Sequence, residues 1–256
     1  MCGRFTLLLG WPQIFQLLEG FVSNLNNGTD EKILAYPDRF NIAPTQPILV
    51  LARAGEKVEP FLMRWGLVPQ WVDNPADFPL IINARSETLA EKTSFKSSLK
   101  NQRCIIPASG YYEWSRLPDG TKIPQYITRN DGLPILMAGL HSTWVGEDGE
   151  EVDTATIITI AANDDLKNVH HRTPVMLEGE NIALWLDSAN VNAKEAQKLL
   201  IPIADGFMKY HPVSTQVNSP KNDFETLIIP AFEMDQSENK SEQVQKPKKP
   251  SQLNLF

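Results

Sequence analysis

Apolar residues recur along this chain in two rhythms. In "WPQIFQLLE" (11–19) Trp11, Ile14, Phe15 and Leu18 fall three or four positions apart and Pro12 sits in the first turn, a spacing that predicts a short helix. "PILVLAR" (47–53), "VEPFLMRW" (58–65), "PQYITR" (124–129), "PILMAGLH" (134–141) and "TATIITIAA" (154–162) are β-rich runs bounded by Gly, Pro and acidic turns, and they predict strands. Between them "SETLAEKTSFKSSL" (86–99) reads as a helix opened by a serine cap. "GENIALWLD" and "NAKEAQKLL" read as two short helices further along. Strands outnumber helices and do not alternate with them, so the expected fold is α+β: a single domain on a mostly antiparallel sheet or barrel with short flanking helices. No internal repeat is visible.

The pattern stops near Asp235. "DQSENKSEQVQKPKKPSQ" holds one aliphatic residue, too little apolar surface to offset the entropy of folding. A folded domain is therefore expected over 1–234 and a disordered tail over 235–256. That tail ends in "QLNLF", whose three apolar residues either dock back on the domain or meet something else.

Composition narrows the setting. The 256 residues are 42% hydrophobic, enough for a sizeable core. No apolar run reaches the roughly 18 to 20 residues that span a bilayer, and no export signal opens the chain, so a soluble cytoplasmic protein is expected. Two distant cysteines, Cys2 and Cys104, offer neither a disulfide framework nor metal-ligand spacing, and no metal or cofactor is expected. The net charge of −7 argues against an indiscriminate nucleic-acid coat, but it is unevenly placed: residues 1–130 carry +2 and residues 131–234 carry −10. Any nucleic-acid contact is expected to be small and focused.

Candidate chemistry is concentrated in five stretches at the ends of apolar runs, where a rigid element presents side chains to a cleft. They are "CGRF" (2–5), "NIAPTQ" (41–46), "IINARSET" (81–88), "GYYEW" (110–114) and "VHHRTPVML" (169–177). Singly, each has an ordinary structural explanation: Asn83 as a helix cap, Glu113 as a surface acid, His170 or His171 as a hydrogen-bonded loop residue. Taken in order, together with "RWGLVPQW" (64–71), the motifs resemble the SRAP family, the SOS-response-associated peptidases, from residue 2 to about residue 230.

The resemblance implies covalent capture of abasic sites in single-stranded DNA, and Cys2 supplies a chemical reason. Once Met1 is removed, an α-amine with a pKa of about 7.7 to 8.0 is partly neutral at pH 7. It forms a Schiff base with the aldehyde of an open abasic sugar, and the neighbouring thiol closes a thiazolidine ring in a nearly unimolecular step. The resemblance further implies Cys2, Asn83, Glu113 and His170 as catalytic residues. Asn83 would hold the amine or the sugar, Glu113 would act as general acid and base, and His170, preferred over His171, would move protons or touch a sugar hydroxyl. Arg4 and Arg85 are expected to grip phosphates, with Asn41, Pro44 and Trp71 completing the DNA contacts and Trp71 and Pro44 wedging against flanking bases.

Two positions depart from the family pattern: Thr173 stands where many members have methionine, and Val72 where some have a second tryptophan. The first is expected to alter packing under the histidine and the second to loosen the wedge. The family name also suggests a thiol peptidase, with Cys2 as nucleophile and His170 as base, and a non-catalytic single-strand-binding module is a third reading. The terminal Gln252, Leu253, Leu255 and Phe256 resemble the short bacterial peptide that docks on the replication sliding clamp. A tail of about 17 residues spans roughly 20 to 25 Å, which would tether a monomeric domain near single-stranded template at a fork in the nucleoid.

Overall fold

A computed structural model describes residues 2–26 and 30–232. The expected tail over 235–256, with its Gln252, Leu253, Leu255 and Phe256, lies outside the described residues. In chain order the elements are β1 (Arg4–Leu7), α1 (Trp11–Leu18), α2 (Glu31–Leu34), β2 (Arg39–Ile42), β3 (Pro47–Ala54), β4 (Lys57–Trp65) and β5 (Asn83–Arg85). There follow α3 (Thr93–Asn101), β6 (Arg103–Ala108), β7 (Gly110–Arg116), β8 (Lys122–Arg129), β9 (Ile135–Val145) and β10 (Glu151–Ala161). The last are β11 (Arg172–Pro174), α4 (Glu180–Leu186), α5 (Ala193–Gln197) and β12 (Met208–Pro212).

The strands form two sheets. The first has the order β12-β8-β7-β1-β2 and is antiparallel throughout. In the second, β10, β4, β3, β6 and β9 follow one another, and β9 pairs back on β10, closing a five-stranded ring. The long strand β10 serves four neighbours. On one edge it runs parallel to β4 and then to β5, and on the other it lies antiparallel to β9 and then to β11. Six consecutive residues, Thr154 to Thr159, are buried as a result. The mixed, mostly antiparallel α+β architecture is the one that the sequence pattern predicts.

The apolar runs are legible in the burial. Ile48 to Ala52 of β3 and all six residues of β6 are buried, as strands inside a closed ring must be. The first sheet faces this core through Phe5, Leu7, Tyr111 and Ile127, and Phe5 meets Trp65 edge-on at 5.1 Å between ring centres. Its other face is covered by the segment 213–228, where Tyr112 and Tyr126 pack with Val213, Val217 and Leu227. In α1, Trp11, Ile14 and Leu18 point inward as the spacing predicts. No helix among the described residues is long and apolar enough to cross a membrane.

One helix differs from expectation. Instead of running from 86 to 99, the chain makes a single 3-10 turn at Ser86–Thr88 and α3 begins only at Thr93. The reason is tertiary: Asn83 to Arg85 are committed to pairing beside Ile157 to Thr159, so the backbone enters the segment extended. α3 and α4 both end on Arg103, which is 1% exposed. Its guanidinium donates to the carbonyls of Leu99 (3.1 Å) and Trp185 (2.6 Å), which lie in the last turns of α3 and α4, and to that of Val191 (2.9 Å) in the loop before α5. Lysine carries the charge but not the fork, so Arg103→Lys is expected to cost about 2 to 4 kcal/mol of folding free energy, measured by urea unfolding.

Candidate functional site

The predicted catalytic residues meet where the two sheets face each other. Cys2 precedes β1 and is fully buried, and its carbonyl accepts a 2.8 Å hydrogen bond from the Asn83 side-chain amide. Asn83 is the first residue of β5, so this bond joins the start of the chain to the second sheet. Its Oδ1 is buried and has no hydrogen-bond partner among the described residues, leaving an acceptor beside Cys2. Asn83 thus holds the backbone of Cys2, a more specific task than capping a helix. Burial pushes the Cys2 thiol well above the ordinary cysteine range, and the Glu113 carboxylate adds to the shift.

Glu113 lies in β7 opposite Gln125 and is 4% exposed, far from the surface acid that its sequence context alone allows. Its Oε1 stands 3.9 Å from Nδ1 of His170, which precedes β11. The same Nδ1 accepts the N–H of Arg172 at 3.0 Å and lies 3.1 Å from the Arg172 carbonyl. A neutral Nδ1 is therefore met by a donor, and a protonated one by two acceptors. This suits a group that carries a proton in transit. Burial lowers the pKa of His170, while Glu113 works in the opposite direction. His171 stacks on His170 at 4.3 Å with a tilt of 31° but is exposed, in keeping with the choice of His170.

The predicted DNA contacts divide into two groups. Arg4 donates from Nη1 to Asn41 Oδ1 (3.0 Å) and the Val217 carbonyl (2.7 Å), and from Nη2 to the Asn218 carbonyl (3.2 Å). Asn41 is fully buried, and its amide donates to the carbonyls of Val217, Ser219 and Asn222. Arg4 and Asn41 thus join β1 and β2 to the segment 217–222. Arg85, by contrast, is exposed, and its guanidinium makes no ion pair or hydrogen bond with a described residue. It lines a cleft of about 450 Å³ with Asn83, Lys92, Ser94 and Phe95. A second cleft of about 180 Å³ shares Ser94 and reaches Trp71.

Trp71 is 57% exposed, held edge-on by Phe78 at 5.6 Å and 87°. Its neighbour Val72 packs into a small cluster with Val68 and Trp144, and its carbonyl accepts the Trp144 indole N–H at 2.6 Å. Position 72 therefore faces inward in this chain. Pro44 sits in the turn Ala43–Gln46, closed by a 3.3 Å bond from the Gln46 N–H to the Ala43 carbonyl. Thr45 occupies a position that favours glycine, at φ 73°. The Thr45 N–H donates to the carbonyl of Trp65 at 2.8 Å, which holds the turn in place.

Sequence reasoning missed Arg172 and Tyr111 and read Thr173 only as a change in packing. Arg172 is gripped by both oxygens of Glu87 at 2.7 and 2.9 Å, and its own backbone orients His170. The hydroxyls of Tyr111 and Thr173 form a buried 2.9 Å hydrogen bond beneath the cluster. All lie inside motifs already quoted, so a motif's less conspicuous members were the available signal.

Comparison with known proteins places these residues in context. A family model described as SOS response associated peptidase matches residues 1–220. The chain is 39% identical over 228 residues to the abasic site processing protein YoqW of Bacillus subtilis (strain 168), covering 89% of this chain and 99% of that one. It is 33% identical over 235 residues to the abasic site processing protein YedK of Escherichia coli (strain K12), covering 90% and 100%. A crystal structure of a protein from Bacteroides thetaiotaomicron superposes with a TM-score of 0.78 at 25% identity, covering 90% of this chain and all of that one.

The Thr45 turn generates a test of stored strain. A β-branched residue in left-handed backbone costs more than the extra entropy glycine loses on folding, so Thr45→Gly is expected to stabilise the fold by about 1 kcal/mol in urea unfolding. No change, or destabilisation, would show that the turn is relaxed.

Proposed function

Because the chain belongs to the SOS response associated peptidase family, we propose that it captures abasic sites in single-stranded DNA through Cys2 after removal of Met1. The observation that carries this reading is the convergence of Cys2, Asn83, Glu113 and His170 on one seam between the sheets. The names of the relatives, abasic site processing proteins, support the same substrate.

The proposed chemistry follows from the state of each group. The freed α-amine of Cys2, with Asn83 Oδ1 beside it as acceptor, attacks C1′ of the open sugar. Loss of one water leaves an imine. The Cys2 sulfur then adds to the imine carbon, its proton leaves toward Glu113, and the imine nitrogen gains one, closing the thiazolidine. The thiol is held protonated by burial, so amine attack comes first and the sulfur acts only when a base can take its proton in the same step. Glu113 and His170 form the relay that opens the sugar and carries protons to and from the imine.

The same shifts weigh against a thiol peptidase. That chemistry needs a thiolate beside an imidazolium, whereas here burial raises the thiol and lowers the imidazole. A purely reversible binding module would have no use for a buried amine and thiol beside a carboxylate–imidazole pair. In this reading Arg85 and Lys92 meet phosphates, and Trp71 and Pro44 stack on flanking bases. Arg4 and Asn41 brace the strand behind Cys2. The terminal "QLNLF" docks on the sliding clamp and raises the local concentration of the domain at the fork.

Incubation with a single-stranded oligonucleotide containing one abasic site tests the first claim. A heat-stable adduct is expected from the processed protein and none from a chain retaining Met1. Cys2→Ser should leave only a borohydride-trappable imine, and Glu113→Gln should slow capture by about 10²-fold with DNA affinity unchanged. A stable adduct from Cys2→Ser would overturn the two-nucleophile mechanism. Deleting Gln252 to Phe256 should abolish clamp binding in a pull-down without altering capture, and undiminished clamp binding refutes the tether.

A further inference from the structure

We propose that the buried hydrogen bond between Tyr111 and Thr173 sets the separation of Glu113 and His170, making Thr173 a positioning residue for proton transfer in this chain.

Glu113 and Tyr111 lie two residues apart on β7, so their side chains leave the same face of the strand. Thr173 is the middle residue of β11, paired with Ile160 of β10, and His170 is fixed by the backbone of Arg172 at the start of that strand. β7 belongs to the first sheet and β11 to the second. The carboxylate and the imidazole that must exchange protons therefore ride on different sheets. The 2.9 Å bond between the Tyr111 and Thr173 hydroxyls crosses that boundary two residues from Glu113 on β7 and three from His170. Both residues are 1% exposed, so neither hydroxyl has water as a substitute partner. The Asn83 bond to Cys2 crosses the same boundary, but it acts on the backbone of Cys2 rather than on the strands that carry Glu113 and His170.

The two positions are matched in this sequence. Thr173 is the position noted above as departing from the family pattern. A phenylalanine at 111 or a methionine at 173 would remove one half of the bond, whereas Tyr111 with Thr173 supplies both. The Thr173 departure thus replaces apolar packing under the histidine with a directional link.

The test reads the geometry through His170 itself. Three charged or titratable groups act on the ring: the Glu113 carboxylate from β7, the chain's amino terminus and His171. The carboxylate and the hydrogen bond to the Arg172 carbonyl both favour the protonated ring, and since the second lies on His170's own segment, letting the carboxylate drift away moves the His170 titration to lower pH. In the full-length processed protein, followed by NMR of the imidazole carbon-bound protons, Thr173→Val and Tyr111→Phe are each expected to lower the His170 midpoint by about 0.5 to 1 pH unit. The double variant should match either single one, and Thr173→Ser, which keeps the hydroxyl, should titrate like the parent. The proposal rests on the capture reading for its consequence. Capture at neutral pH should slow about ten- to a hundredfold in Thr173→Val, with the pH–rate profile moving alongside the titration.

A Thr173→Val protein that loses thermal stability but keeps the parent titration and pH–rate profile would overturn the proposal, because the bond would then be structural only. Thr173→Ser behaving like Thr173→Val would overturn it as well. If the titration moves as expected but no variant, the parent included, forms an adduct, the capture reading fails and the positioning role stands.

Discussion

Everything at this site depends on keeping an ionisable cluster dry. Cys2 has no exposed surface and Glu113 almost none, and the two press on each other electrostatically. Burial, with the Glu113 carboxylate beside it, therefore favours the protonated form of the Cys2 thiol. Dryness also makes every contact among these groups stronger than it would be in solvent, so small displacements become expensive. The core packing between the two sheets, which takes in Cys2 with Phe5, Tyr111 and Trp65, is what excludes water from the seam.

That enclosure explains a division of labour among the polar residues. Arg4, Asn41 and Asp223 spend their hydrogen bonds on protein groups. Asp223 accepts from Arg39 and from the N–H groups of Phe40 and Asn41, fastening the covering segment to β2. Arg85 and Trp71 are instead left facing outward along adjoining clefts. Cations that look alike in the sequence thus sit differently: Arg4 is spent on groups within the fold, whereas Arg85 stands exposed along a cleft.

Much of the fold could be read in advance because β3, β4, β9 and β10 of the ring, and β8 of the first sheet, carry conspicuous apolar runs; β6, though buried throughout, was not read. Nor were β1, β2, β7 and β11, since each interrupts its apolar positions with Arg4, Asn41, Glu113 or Arg172, the residues that make the site. The segment after Arg85 was misread as helix because its extended entry is dictated by β10, some 70 residues downstream. The catalytic set emerged from ordered motifs, but the partners of Arg4 and Asn41 did not, because the carbonyls they meet belong to loop residues whose identities carry no signal. Thr173 was recognised as a departure and its consequence was read as packing. Only the opposing phenol reveals it as a hydrogen bond.

The depth at which Cys2 sits sets an order of events in the making of the protein. If Met1 is removed as proposed, the burial of Cys2 favours trimming before the seam has formed around it. Asn83, Glu113 and His170 are translated long after Cys2, and at about 5 to 20 residues per second the gap before His170 emerges is roughly ten to thirty seconds. During that interval the amino terminus is unfinished and accessible. In that reading the order of residues along the chain acts as a timer, separating the trimming step from the assembly of the fold around Cys2.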